Sequence, residues 1–103
     1  MAQNEFFLYA AAEADIETIA QYLTAEAGPR VARRNILRIL RKLTVLAAYP
    51  GIGRSRPDLP YAPLSFAIPP WLVIYEAQPD GGIAVWRILH GRRDLPHLVR
   101  RPE

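Results

Sequence analysis

The chain has no cysteine, so disulfides, thiol nucleophiles and cysteine-ligated metals are excluded. Its two histidines, His90 and His97, have no carboxylate pair at ligand spacing beside them, which leaves metal catalysis without a ligand set. No phosphate-cradling loop or dinucleotide fingerprint occurs, and Gly51-Ile52-Gly53 lacks the surrounding motif. Ser55 and Ser65 stand outside any nucleophile elbow. No apolar run approaches a bilayer span, and Met1 does not open onto a basic-then-apolar leader. With 103 residues, half of them hydrophobic and 22% charged, the chain reads as one soluble, cytoplasmic domain with no cofactor or metal.

Positive charge is missing from the first 28 residues, which hold Glu5, Glu13, Asp15, Glu17 and Glu26. All thirteen bases lie beyond them, against five further acids, a local net charge of +8. Twelve of the thirteen are arginine, whose planar fork suits bidentate contact with phosphate and carboxylate. A GC-rich coding sequence accounts for arginine over lysine but not for the segregation. The asymmetry points to an anionic partner for the second portion: nucleic acid, phosphate or an acidic protein.

Glu5-Phe6-Phe7-Leu8-Tyr9 is short, apolar and aromatic and predicts a strand. From about Glu13 the period changes: Ile16, Ile19, Ala20, Leu23 and Ala27 recur at helical spacing. Gly28-Pro29 closes this helix and opens a second, running to about Ala48. In the second, Ala32, Ile36, Ile39, Leu40, Leu43, Leu46 and Ala47 fill one arc of roughly 120°. Arg30, Arg34, Arg38, Arg41 and Lys42 oppose it, interrupted by Val31, Leu37 and Val45. Those three apolar residues are either ordinary surface or a docking surface.

Tyr49-Pro50-Gly51-Ile52-Gly53 stops the helix, and Pro57, Pro60 and Pro63 predict an irregular loop of about fifteen residues. Strands follow at Leu64–Ile68, Leu72–Ala77 and Ile83–His90, with a corner at Pro69-Pro70-Trp71 and a hairpin at Gln78–Gly82. A helical turn is expected around Asp94–Leu98. The reading is an α+β two-layer sandwich of order β-α-α-β-β-β: a helical hairpin on a four-stranded, mostly antiparallel sheet whose other face is open to a ligand. Trp86 shares the parity of Ala84 and Ile88 and is expected in the core.

One basic cluster has chemical potential. If Arg54 and Arg56 of the loop meet Arg87, His90 and Arg93 of the last strand and tail, metal-independent RNA cleavage is chemically possible. A base would take the 2′-OH proton, and arginines would stabilise the phosphorane. The alternative is structural: Arg87 pairs with Glu76 or Asp94, and His90 is a hydrogen-bonded strand end.

Four blocks in order make the chain resemble the ParE branch of the ParE/RelE toxin superfamily. They are Ala14–Leu23, Leu46–Arg54, Arg56–Leu59 and Ile88–Leu95. The resemblance implies the toxic half of a type II toxin–antitoxin pair. It implies a ParD-like antitoxin with an acidic carboxy-terminal tail, DNA gyrase as the target, and inhibition by binding rather than catalysis. Val31, Leu37, Val45, Arg34, Arg38 and Arg41 would then face the antitoxin, with the sheet edge as a further groove, and Arg92, Arg93 and Asp94 the target. The RelE-like alternative is a ribosome-dependent endoribonuclease using Arg54, Arg56, Arg87, His90 and Arg93. Against it, Leu64 replaces the arginine of ribosome-dependent relatives, no tyrosine follows His90, and Pro69-Pro70-Trp71 replaces the usual Gly-x-Tyr corner. A third alternative is a non-toxic binding module or co-repressor on the same fold.

Overall fold

A computed structural model describes residues 5–91 and 95–102. Strand β1 is Phe6–Leu8, and helix α1 follows at once, Ala10–Ala27. Its start lies ahead of the Glu13 expected, because Ala10-Ala11-Ala12 are strong helix formers and the Tyr9 carbonyl accepts the Ala12 and Glu13 N–H groups. Gly28, at φ +91°, receives the end of α1 by donating its N–H to Thr24 O. The same residue caps the start of α2, Pro29–Ala48, whose first residue is the proline a first turn tolerates. Only glycine holds that φ without strain, so the two helices turn on one residue.

The remaining elements are a short 3-10 turn at Pro50–Ile52, β2 (Arg54–Ser55), β3 (Leu64–Ile68), β4 (Trp71–Ala77), β5 (Ile83–His90) and α3 (Leu95–Leu98). They form one sheet in the order β1-β5-β4-β3-β2, with β1 parallel to β5 and the other pairs antiparallel. The expected four strands become five. Beyond Gly53 the backbone is extended for two residues, so Arg54 pairs with Ser65 and Ser55 with Leu64 before Pro57 ends pairing. Trp71 belongs to β4 and not to the corner; the Pro69-Pro70 bond that makes the corner is cis.

Register along β5 shifts at Trp86: Ile74 pairs with Arg87, and Tyr75 with Val85. The extra residue is a bulge, and it exchanges the faces on either side of it. Val85 and Ile88 therefore both face the helices, while Trp86 joins the opposite face with Leu89. Trp86 is buried as expected, but on the side away from Ile88.

The main core lies between the hairpin and the sheet, where Ile39, Leu43 and Leu46 of α2 meet Val73, Tyr75, Val85 and Ile88. A smaller core occupies the other face, where Leu59 from the loop and Leu95 and Val99 from the tail cover Ile74, Trp86 and Leu89. That face is not open as expected, since isolated apolar residues in proline-rich segments lie across it. Among the described residues, no helix is long and apolar enough to cross a membrane.

Candidate functional site

Helix α2 contains six bases and no acid, and its solvent face follows from its own period. Arg30, Arg34, Leu37, Arg41 and Val45 recur at three- and four-residue steps opposite the buried arc, so they share one stripe. Leu37 is 37% and Val45 43% exposed, and Val31 is half-buried at the stripe's margin. Beyond the helix end the stripe continues into Tyr49 (65% exposed) and Ile52, linked by the Ile52 N–H to Tyr49 O bond. The sequence pattern presents these two only as part of a helix stop. Large apolar side chains straight after a helix terminus were the signal available.

Among the described residues, Arg30, Arg33, Arg34, Arg41 and Lys42 have no ion-pair partner; the pairs formed there lie elsewhere, at Arg56–Asp58 and Arg87–Asp15. Helix α1 has four acids and no base, yet none of its carboxylates reaches across to these groups. The stripe keeps its positive field, and apolar side chains are set within it. Arg38 differs. It donates to the Pro69 carbonyl and lies 5.5 Å from the Trp71 ring centroid, so it fastens the β3–β4 corner to α2.

The other arginine cluster does not converge. Arg54 and Arg56 lie at β2, and Arg87 and His90 lie on β5, three strand spacings or roughly 14 Å away in the sheet. Arg56 is held by Asp58, with N–O distances of 2.9 and 2.7 Å, and reaches Ser65 Oγ at 3.4 Å. That pairing raises the Arg56 pKa and lowers that of the Asp58 carboxyl. Arg54 is exposed on the edge strand, and His90 is exposed at the end of β5.

Arg87 is committed to the fold, and among the described residues its carboxylate partner is Asp15, not Glu76; the other partner expected, Asp94, lies outside them. Its Nε and Nη2 donate to the two Asp15 oxygens at 2.7 and 2.8 Å, and Nη1 donates to the Leu98 carbonyl at 3.1 Å. β1 pairs only as far as Val85, so the β5 edge beyond it lacks a strand, and Asp15 also accepts the Ile88 N–H at 2.8 Å. The Asp15 hydrogen bond holds the guanidinium pKa above its ordinary value. A guanidinium locked in this way is unavailable to a phosphorane.

Arg92, Arg93 and Asp94 lie outside the described residues. On one flank, the Gly91 N–H bonds to the Pro70 carbonyl at 2.9 Å; on the other, Leu95 is buried.

A family described as "ParE toxin of type II toxin-antitoxin system, parDE" matches residues 7–95. Among curated proteins, Toxin ParE3 of Caulobacter vibrioides is 31% identical over 81 residues, which is 79% of this chain and 80% of that protein. Among solved structures, a chain titled "Chromosomal ParDE TA system from P. aeruginosa" has a TM-score of 0.73 at 18% identity, covering 87% of this chain and 96% of that one. At that identity the likeness concerns the fold.

Proposed function

We propose that this chain, which belongs to the ParE toxin family of type II toxin–antitoxin systems, is held inactive by a ParD-like antitoxin. Once released, it acts in the bacterial cytoplasm by binding and inhibiting DNA gyrase, with no bond made or broken by its own residues. The observation that carries the antitoxin reading is the α2 stripe: arginines with no carboxylate partner among the described residues, alternating with exposed Leu37 and Val45. An acidic amphipathic segment complements both features. It would place carboxylates on Arg34 and Arg41, and apolar side chains on Leu37, Val45 and Tyr49.

The target surface in this reading is the segment Arg92-Arg93-Asp94, whose flanks are tied to Pro70 and to the smaller core. Two arginines in a short segment held at both ends suit recognition of another macromolecule. The ribonuclease reading asks for Arg54, Arg56 and Arg87 in one place, which the strand order opposes.

Two measurements separate the halves of the proposal. Purified toxin in excess should abolish gyrase supercoiling, and full supercoiling at large excess removes gyrase as the target. Arg34→Glu with Arg41→Glu should weaken capture of the antitoxin encoded beside the toxin by about tenfold or more, mainly through faster dissociation. Unchanged affinity moves the antitoxin off this face.

A further inference from the structure

Two buried anchors assemble a second basic surface away from α2. Leu59 of the loop and Val99 of the tail pack in the same small core, so the residues following each come out side by side. Pro60 and Tyr61 follow the first anchor, and Arg100, Arg101 and Pro102 follow the second. With Val99 they line an open groove of about 610 Å³, within the range of ligand sites. The lining holds two bases and no acid, and among the described residues neither Arg100 nor Arg101 has a carboxylate partner.

Residues 59–62 form a tight turn, closed by the Ala62 N–H bonded to the Leu59 carbonyl at 3.0 Å. Pro60 takes its second position and Tyr61 its third, at φ +63°, where such a turn ordinarily has glycine or asparagine. Ala62 follows at +44°, so a left-handed stretch is held without either residue. The tyrosine is 72% exposed, and burial therefore does not account for it. Arg101 lies over one face of the ring, 4.9 Å from its centroid, and leaves the other face to solvent.

A flat ring presented to solvent beside two guanidinium groups matches a base and its phosphates. Bases stack on an exposed tyrosine whatever their identity, and arginines neutralise the backbone. The bases of a duplex are already stacked on one another, so the match is to an unpaired chain. An acidic peptide would satisfy the arginines but leave the ring without a partner. Glu76 lines the neighbouring cleft, which shares Tyr61 and Arg101, and its charge turns phosphates toward Arg100. We infer that the groove binds single-stranded nucleic acid: one base stacks on Tyr61, and Arg100 and Arg101 hold the phosphates beside it. The contact is binding alone, and it stands whether or not gyrase is the target.

The test is an NMR titration of the full ¹⁵N-labelled chain with tetrathymidylate and with tetrauridylate at low salt. The amide signals of Tyr61, Ala62 and Arg101 should move and saturate. A response to the first alone identifies DNA, to the second alone RNA, and to both a chain of either sugar; each supports the site. An abasic tetramer of the same charge should bind about tenfold or more weakly, since the stacked base is gone. Tyr61→Phe keeps the ring and should keep the affinity within about twofold. Tyr61→Gly relieves the left-handed strain, so it should fold at least as stably yet bind about tenfold or more weakly. With two phosphates neutralised, log K should fall with log salt at a slope of about −1.4, and Arg100→Ala with Arg101→Ala should bring that slope toward zero. Signals that stay still or move only on α2, equal affinity for the abasic tetramer, or unchanged binding in Tyr61→Gly overturns the inference.

Discussion

The two faces of the central sheet are covered in different ways. On one face, 18 residues of α1 and 20 of α2 close over β4 and β5. On the other, a proline-rich loop and a four-residue helix cover Ile74, Trp86 and Leu89. The first cover is continuous and amphipathic, so apolar burial alone can hold it. The second offers three apolar anchors, Leu59, Leu95 and Val99, and depends on polar ties from the strands beneath it. Arg87 is the principal tie. It joins Asp15 on the helix side to the Leu98 carbonyl on the tail side, so one ion pair couples the two covers.

The largest effect should separate the faces directly. Leu43→Ala empties a fully buried position under α2 and should cost about 3 kcal/mol, read as a lower urea midpoint with global unfolding. Leu95→Ala on the thin face should cost about 1–2 kcal/mol, because the tail can settle into the space. Equal costs would mean that the thin cover is as rigid as the hairpin.

Asp15→Ala comes next and tests the coupling. It leaves a partly buried guanidinium and the Ile88 N–H without their acceptor, and should cost about 3 kcal/mol. The distinctive readout is amide exchange: protection should fall at Ile88 and also at Val99, whose N–H bonds to Leu95 O in the tail. Loss at Ile88 alone would uncouple the faces. Arg87→Ala combined with Asp15→Ala should cost less than the two single variants together.

The same contrast explains what the sequence made legible. The buried arc of α2 was readable because twenty residues repeat one period, and the outer stripe followed by subtraction. Gly28-Pro29 and the three long strands announced themselves by local chemistry. The β5 bulge did not, because Ile83–Leu89 is apolar in either phase apart from Arg87, and parity has nothing to register. The thin cover was equally silent, since Leu59, Leu95 and Val99 are single apolar residues in segments with no period. Strand β2 is two residues long, below any pattern. The Arg87–Asp15 pair joins positions 72 apart, which no local spacing reports. At the candidate site, the arginines of α2 were legible by period. Tyr49 and Ile52 were hidden by their helix-ending neighbours.

The smallest effect concerns a polar tie on the well-covered face, and its sign is fixed by pH. Tyr75 is fully buried, and its hydroxyl donates to the Pro50 carbonyl at 2.6 Å, joining β4 to the end of α2. Burial raises its pKa above the ordinary 10.0. Below that value both folded and unfolded chains keep the proton, and the contribution of the tie is complete. As pH rises past 10.0 the unfolded chain loses the proton first, so it binds fewer protons than the native state and stability falls. Tyr75→Phe should cost about 1 kcal/mol at neutral pH, the net value of one hydrogen bond. Urea midpoints of the two proteins should then converge above the ordinary tyrosine value, because only the parent has this proton to lose. A constant gap across that range would show that the hydroxyl matters for packing alone. The well-covered face would then hold without a polar tie, and the difference between the two faces would be complete.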